Sequence, residues 1–377
     1  MLNTKNCKSL IALAVFLLIA SGASYAQVGI TSVPFLQIEP DSRTAGMGNS
    51  GVAIADNATA VFWNPAGLAF QEGHEVSITH ADWLPNFNVD MFYDYLAGRY
   101  YVEGIGTIGG HITFLNLGEQ EHRDAGNNLI GEFSSYEIAG GFSYGFKLNE
   151  NFAVGTGIRF IFSNLVPSGT LVEGQTARNG TSVGLDLGTL YRSNHFLVAN
   201  REAQIRAGLN LSNLGPSIQY TDEAQKDPLP TLLRVGWAYK MDLDQDGFNS
   251  ITLSNDFSKI MARYETDEEG GPVAMNPLKA LVRSWDTISR HDGQQTVELP
   301  LSEQIMIGVG LEYWYDNLFA LRTGYFYESP NNGNREFLTF GAGLRYNIFG
   351  VDFSYIYTLE EEHPLANTLR FTASLNF

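Results

Sequence analysis

The stretch Leu369-Arg-Phe-Thr-Ala-Ser-Leu-Asn-Phe377 alternates strictly between apolar and polar residues. Side chains on a β-strand change face at every residue, so this stretch predicts a strand with one apolar and one polar face. A last strand of this kind, ending on an aromatic residue, is typical of bacterial outer-membrane barrels. In such a barrel the apolar face meets lipid and the polar face lines the interior.

Residues 1–26 predict a secretory signal peptide. Two lysines precede the apolar run 9–20, and small residues follow up to Ala26, after which we expect cleavage. The apolar run is shorter than the roughly 20 residues that a transmembrane helix needs. The only cysteine, Cys7, lies in this segment, so we expect no disulfide in the mature chain.

The charge balance excludes nucleic acid from the expected partners. The sequence has 23 basic and 41 acidic residues, a net charge of −18. Phosphate contacts need clustered lysine and arginine, which this balance does not favour. Charged residues make up only 17%, aromatic residues 12%, and there are 39 glycines. This mixture is typical of one barrel with small inward residues and aromatic belts, which we place at residues 73–377.

Alternating segments recur from about residue 74 and predict about 14 strands, the even number expected of a bacterial barrel. Connections after odd-numbered strands are mostly long, such as 118–133 and the longest, 260–301, whereas those after even-numbered strands are mostly short. Long loops of outer-membrane barrels face the cell exterior, and short turns face the periplasm. We therefore predict an all-β, antiparallel transmembrane β-barrel in the cell outer membrane, surrounded by lipid, with its loops on the cell surface.

Aromatic residues gather where the even-numbered strands end, which predicts a belt at the periplasmic membrane interface. The belt residues are Tyr100, Tyr101, Tyr144, Tyr191, Tyr239, Tyr313, Trp314, Tyr315 and Tyr346. The predicted inward positions mix glycines with charged residues, namely Arg159, Glu312, Arg322, Arg345 and Arg370. Glycine on a strand lets another backbone approach closely, so we expect a segment to fill the lumen. Paired arginine and glutamate would satisfy each other there.

Residues 27–72 are predicted to form that segment, an N-terminal hatch. The sequence 35–70 is rich in glycine and alanine, shows no barrel alternation, and ends in the turn signal Asn64-Pro-Ala-Gly67. Such a composition indicates a compact plug of short helices and turns.

This segment resembles the hatch of the FadL-type barrels, outer-membrane transporters of fatty acids and other hydrophobic compounds. The residues that carry the resemblance are Arg43, Gly46, Met47, Gly48, Asn64, Pro65 and Ala66. A narrower resemblance is to the PorV family, also called LptO, of the type IX secretion system. It rests on 35–43, on 309–326 and on 344–371, and it spans most of the mature chain.

The PorV resemblance implies a barrel without enzymatic activity. It further implies binding to the C-terminal signal domain of cargo that leaves the type IX translocon barrel. The cargo is then carried to the cell-surface sortase complex for attachment, and the protein also seals the lateral opening of the translocon. The alternatives are a FadL-type transporter of hydrophobic compounds and a purely structural barrel.

The longest loop contains a predicted amphipathic helix. Asn276-Pro277 supplies an N-cap followed by proline at the first helical position. Apolar residues follow at helical spacing, namely Leu278, Leu281, Val282, Trp285 and Ile288. One interpretation is that this apolar stripe packs down as a lid on the barrel mouth. The other is that it docks to the translocon or to cargo.

No cofactor, metal or catalytic site is predicted. The stretch Asp242-Leu-Asp-Gln-Asp-Gly247 is similar to the start of a calcium loop, but its twelfth position is Leu253, where a bidentate glutamate is required. Asp-Gly is also ordinary turn chemistry. The sequence has no His-Glu-x-x-His motif and no phosphate-binding loop, and its histidines are scattered singly. We therefore predict that the protein is not an enzyme.

Overall fold

The computed structural model describes residues 31–87, 90–123, 126–172, 175–221, 226–266, 271–291, 296–359 and 363–377. The predicted signal peptide, 1–26, and the first part of the predicted hatch, 27–30, lie outside the described residues. The barrel consists of fourteen long strands, which confirms the predicted number. Their bounds are β1 Glu75–Asp82, β2 Phe92–Val102, β3 Gly106–Arg123, β4 Leu129–Lys147, β5 Phe152–Asn164, β6 Gly180–Arg192, β7 Arg201–Leu214, β8 Leu232–Asp242, β9 Asn249–Ile260, β10 Met306–Tyr315, β11 Phe319–Tyr327, β12 Glu336–Tyr346, β13 Phe349–Thr358 and β14 Leu369–Asn376.

The sheet is closed. Each strand pairs antiparallel with its neighbours in sequence, and the first strand also pairs with the last. In this closing pair, Ile78 of β1 lies opposite Ala373 of β14. A closed barrel leaves no edge strand unpaired around the ring, which is the condition for crossing a membrane with strands.

The two faces of the wall differ as the sequence predicts. In β14, Arg370 and Thr372 are buried in the lumen, while Phe371 and Leu375 are exposed on the outer face. The same alternation brings large apolar side chains to the outer surface of every barrel strand region that the structure describes. Exposing apolar area to water costs about 25 cal/mol per Å², so this outer surface is suited to lipid.

Long and short connections lie at opposite ends of the barrel, which we call the loop end and the turn end. The turn end has connections as short as 316–318 and 347–348, and the loop end has the longest one, 261–305. The prediction of a long loop at 118–133 is wrong. Strands β3 and β4 stay paired up to Arg123 and Leu129, because a bulge with Gly118 at φ 78° lets the pairing resume at Glu119.

Most of the predicted aromatic belt lies on the outer face at the turn end. Tyr100, Tyr191 and Tyr346 are exposed there. Two members are exceptions, because they stand at lumen positions of their strands. Trp314 packs its ring against two arginines of the interior, and Tyr101 lies opposite the buried Thr107.

Short helices, 3-10 turns and short strands lie in the hatch and in the connections between barrel strands. The helices are α1 Ser42–Ala45, α2 Ala60–Trp63 and α3 Pro277–Arg283, and the 3-10 turns are Pro34–Gln37, Pro65–Phe70, Pro85–Phe87 and Leu301–Glu303. Short strands in the connections are Leu171–Val172, Gln175–Thr176, Phe196–Val198, Tyr264–Thr266, Pro272–Ala274, Ile288–His291 and Thr296–Leu299. In the described part of the chain, no helix has the length and apolar character needed to cross a membrane.

The main apolar core lies inside the barrel, between residues 31–71 and the wall. Side chains of this hatch, such as Phe35, Val61 and Leu68, form one cluster with wall residues such as Tyr93 and Tyr95. All five are at most 1% exposed. The lumen is therefore packed with protein, and the hatch is the element from which a functional site can be built.

Candidate functional site

One side of the hatch touches the wall backbone to backbone. The turn around Met47 and Gly48 lies against β10 and β11, where a side chain on Gly324 would collide with the backbone of Gly48. Gly48 itself has φ +62°, a conformation that favours glycine. Gly46, the other glycine of the predicted motif, lies against Gly341 of β12. The lumen glycines thus admit the close approach that the sequence indicates.

The opposite side of the hatch is held by the Asn64-Pro65-Ala66 motif. The Asn64 side chain accepts a hydrogen bond from the Ala66 amide (3.2 Å) and donates one to the carbonyl of Thr189 in β6 (2.9 Å). Pro65 and Ala66 lie against Gly155 of β5, where no side chain would fit. All seven predicted hatch-motif residues, Arg43, Gly46, Met47, Gly48, Asn64, Pro65 and Ala66, therefore lie at contacts between the hatch and its surroundings.

A continuous chain of alternating charges, which we call the clasp, crosses the lumen. Its members, in order, are Arg206 of β7, Asp56 and Arg43 of the hatch, Glu312 of β10, Arg322 of β11, Asp352 of β13 and Arg345 of β12. Arg43 donates two hydrogen bonds to Glu312, both 2.8 Å long. Arg322 donates to Glu312 and to Asp352, both at 2.7 Å. The predicted pairing of lumen arginine with glutamate is confirmed.

The clasp also fixes the charge of Asp56. Burial alone would raise the pKa of this carboxyl, but Arg43 and Arg206 outweigh burial and hold it well below its usual range. The carboxylates of Asp56 and Glu312 raise the pKa of Arg43 above its usual value, against the effect of burial. Both hatch members of the clasp are therefore charged throughout the physiological pH range.

Two predicted lumen arginines lie outside the clasp. Arg159 of β5 donates to Asp186 of β6 (2.9 Å) and to Asn213 (2.7 Å). Arg370 of β14 is 1% exposed and lies 3.7 Å from Glu39 of the hatch. The interior thus contains several separate charged groups.

The loop end holds an open cavity of about 960 Å³, which we call the loop-end cavity. The hatch residues 31–39 line it from one side. The walls are mostly apolar and include Trp83, Leu117, Leu165 and Leu365. A few polar groups converge there, as is usual in binding sites. The ionisable ones are Glu39, Glu137, Tyr220, Asp227, Glu328, Arg335 and His363.

Tyr220 is a polar residue of the cavity wall whose hydroxyl group is hydrogen-bonded. Burial raises the pKa of Tyr220 to about 12, and its hydroxyl donates to the Ser163 Oγ at 3.0 Å. The phenol is therefore neutral at physiological pH. An apolar or amphipathic chain can enter such a cavity without meeting an unpaired phenolate.

The helix predicted in the longest loop is present as α3, but it ends at Arg283, so that Trp285 follows it and Ile288 begins the short strand Ile288–His291. Asn276 caps it by accepting from the amide of Leu278 at 3.0 Å. The residues of the predicted apolar stripe differ in their exposure to solvent. Leu278, Val282 and Trp285 are 66%, 73% and 48% exposed, Leu281 is half-buried and Ile288 is buried. Most of the stripe therefore faces away from the barrel mouth, which does not fit a lid packed down on it.

The acidic turn after β8 binds its own backbone. Asp244 accepts hydrogen bonds from the side-chain amide of Asn249 and from the backbone amides of Phe248 (2.9 Å) and Asn249 (2.8 Å), and these hydrogen bonds lower its pKa. This is Asx-type turn chemistry. Among the described residues, no group of three or more histidine, cysteine, aspartate or glutamate side chains is arranged to hold a metal ion.

A pentapeptide of the Gly-x-Ser-x-Gly form occurs at Gly141-Phe-Ser-Tyr-Gly145. In serine hydrolases this motif sits on a sharp strand-to-helix turn. Here it lies within β4, near the end of the strand, with Ser143 buried on the lumen side of the wall. The neighbouring His111 of β3 has no hydrogen-bond partner on either ring nitrogen within the described structure. The pentapeptide is therefore wall sequence and does not form a nucleophile elbow.

The comparisons with solved structures agree on the fold. A crystal structure of the Pseudomonas putida toluene transporter TodX superposes with a TM-score of 0.52 and 12% identity, covering 89% of this chain and 98% of that chain. A second crystal structure of the same transporter gives a TM-score of 0.50 and 13% identity, covering 93% and 98%. At such identity the likeness shows the FadL-like barrel fold alone.

The comparisons with sequences identify the family. No curated protein sequence matches the chain. The family model described as "Type IX secretion system protein PorV" matches residues 21–266, more than half of the chain. Both the family and the structural neighbours are named for secretion or transport, and the FadL-like barrel fits an outer-membrane component. The chain belongs to the PorV family of type IX secretion system proteins.

Proposed function

We propose that this protein binds the C-terminal signal domain of secreted cargo at its loop end and carries the cargo from the type IX translocon to the cell-surface sortase complex. The observation that carries the proposal is the open loop-end cavity, with its mostly apolar walls, at the same end of the barrel as the exposed apolar face of α3. The loop end faces the cell surface in this proposal, as the long loops of outer-membrane barrels do.

The exposed face of α3 supports a protein partner. Leu278, Val282 and Trp285 present aliphatic and aromatic area without covering groups. Exposed apolar patches commonly mark interaction sites, and tryptophan is enriched at the residues that dominate binding. We assign this face to docking on the translocon or on cargo, and sealing of the translocon's lateral opening would use the same contact.

A pull-down tests cargo binding. The folded full-length protein in detergent should retain a purified cargo C-terminal domain, and Leu165→Glu with Leu365→Glu in the cavity wall should lose most of it. A charged substitution at Ile130, an exposed residue at the tip of the β3–β4 hairpin, is the matched control and should bind normally. No capture by the unaltered protein, together with normal secretion in a deletion strain, would overturn the proposal.

A second experiment tests the α3 surface. Val282→Glu with Trp285→Glu, two exposed residues of this face, should reduce co-purification with the translocon, because a charge cannot be desolvated in an apolar contact without a partner. Unchanged recovery would remove α3 from the docking surface and leave the cavity as the site.

The same cavity favours one alternative, transport of hydrophobic small molecules. Its volume of about 960 Å³ lies within the range of small-molecule sites. Uptake of a hydrophobic compound into vesicles that contain the protein would support this function, and it requires passage beyond the hatch, which lies between the cavity and the turn end. Capture of cargo without uptake would favour the secretion role.

A further inference from the structure

Inward-facing cations recur at the turn end of the barrel. Five of the seven strands that run toward this end carry one within their last four residues, namely Arg99 of β2, Lys147 of β4, Arg192 of β6, Lys240 of β8 and Arg345 of β12. Their cross-strand partners mark the lumen face: Lys147 lies opposite Ala153 and Lys240 opposite Gln204, both buried. A chain with a net charge of −18 thus concentrates positive charge at one end of its lumen.

Two of these five cations are neutralised by neighbours. Arg99 pairs with Glu75 at 3.0 Å, and Arg345 pairs with Asp352. The other three have no ion pair within the described structure. Lys147 and Arg192 lie over the ring of Phe70, at 5.6 and 4.9 Å from its centroid. Three cations on alternate strands therefore retain uncompensated charge.

A polar cavity of about 250 Å³, which we call the turn-end pocket, lies against this group. Hatch and wall residues line it together, and Lys240 is among them. Arg206, also in the lining, stands directly opposite Arg192 on the neighbouring strand. The row of cations thus continues from the pocket along the wall.

The carboxylates of this pocket are already occupied. Asp56 is held by Arg43 and Arg206, and Glu312 by Arg43 and Arg322. The third, Glu75, is held by Arg99. An anion that enters the pocket therefore meets the free ammonium group of Lys240 and no uncompensated carboxylate.

We infer that the turn-end pocket binds a small anion that carries phosphate or carboxylate groups. Lys240 is the direct ligand, and Arg192 and Lys147 raise the local anion concentration. Rings of lysine and arginine select anions in pores, and low-dielectric walls focus such a field. This site is at the opposite end of the barrel from the proposed cargo site and does not depend on it.

Calorimetric titration of the folded full-length protein in a neutral detergent tests the inference. Pyrophosphate is the phosphate probe and succinate the carboxylate probe. At least one should bind saturably at low salt, and its binding should weaken as salt screens the charges. Lys240→Gln should weaken binding about tenfold, the effect of losing one charged hydrogen bond. Further replacement of Arg192 and Lys147 by glutamine should abolish it.

Lys279→Gln is the matched control, because Lys279 lies at the loop end on α3. It should bind the probe as the unaltered protein does. Heat-dependent gel migration checks that each variant forms the barrel. The inference is overturned if neither probe binds, if Lys240→Gln binds unchanged, or if Lys279→Gln loses as much affinity as Lys240→Gln.

Discussion

Arg43 of the hatch and Glu312 of β10 form an ion pair with two hydrogen bonds of 2.8 Å, across 269 residues of sequence. Both partners have further charged neighbours, Asp56 and Arg322, so that the pair is the centre of the clasp. Its side chains are 13% and 1% exposed. A buried pair of this kind costs most when one partner is removed, because the other is left charged and unpaired.

Removal of Glu312 should therefore destabilise the protein more than its own hydrogen bonds suggest. Glu312→Ala leaves Arg43 and Arg322 without this carboxylate, and we expect a loss of about 3 kcal/mol in the free energy of unfolding. Urea unfolding in detergent, followed by tryptophan fluorescence, measures it. Glu121→Ala, which breaks an exposed pair with Arg123, should change stability by less than about 1 kcal/mol. Equal effects of the two variants would contradict the role of the clasp.

The clasp should resist acid. Because Arg43 and Arg206 depress the pKa of Asp56, its contribution to stability is complete above the usual aspartate pKa of about 3.9. The contribution is lost only as the pH falls through the lower folded value. The destabilisation caused by Asp56→Asn should therefore be constant between about pH 8 and pH 5. Unfolding measured at several pH values checks this, and a cost that changes within that range would show that the folded pKa of Asp56 is raised instead of lowered.

The backbone contact at Gly324 should tolerate no side chain. Gly324→Val forces the hatch turn at Gly48 away from the wall, and we expect a loss of about 3 kcal/mol. Limited proteolysis should then cut within residues 31–71, which the unaltered barrel protects. Gly131→Val is the control, since a side chain there meets open space and should leave stability within about 0.5 kcal/mol. Protection of the hatch in Gly324→Val would argue against close packing.

The N-cap residue Asn276 should stabilise the folded state of α3. Asn276→Ala removes the acceptor of the Leu278 amide and should cost about 1 kcal/mol of local stability. Hydrogen exchange at Leu278 and Lys279 should accelerate by roughly fivefold. Asn276→Ser keeps an acceptor and should exchange like the unaltered protein. Unfolding of the whole barrel should not change in either variant, because α3 lies in a loop.

The barrel could be predicted from the sequence because its signals are local. Alternation over about ten residues specifies a strand and its two faces, and the order of long and short connections specifies the ends. Errors arose where the local signal was misleading. Polar residues after Leu117 indicated a loop, yet they belong to paired strands of the β3–β4 hairpin. Trp314 faces the lumen because it lies two residues after Glu312 on β10, and alternate residues of a strand share a face.

The candidate site was less predictable because its contacts are distant in sequence. Asp56 joins Arg206 across 150 residues, and no local pattern marks that partnership. The sequence identified the residues of the hatch motif. It did not identify their partners in the wall, such as Gly324 and Gly155, because these contacts depend on the fold. The loop-end cavity has no sequence signature, since its walls come from the hatch and several strands.

The amide of Ser42 donates to Thr372 Oγ1 at 2.9 Å, across 330 residues. The hatch precedes β1 in the chain, and β1 forms the seam with β14. The seam and the hatch contact at Ser42 thus both join residues that lie far apart in the sequence. Contacts of such long range also make folding slow. Because Thr372 of β14 contacts both Ser42 of the hatch and Thr79 of β1, damage to the hatch should appear first as a weakened seam.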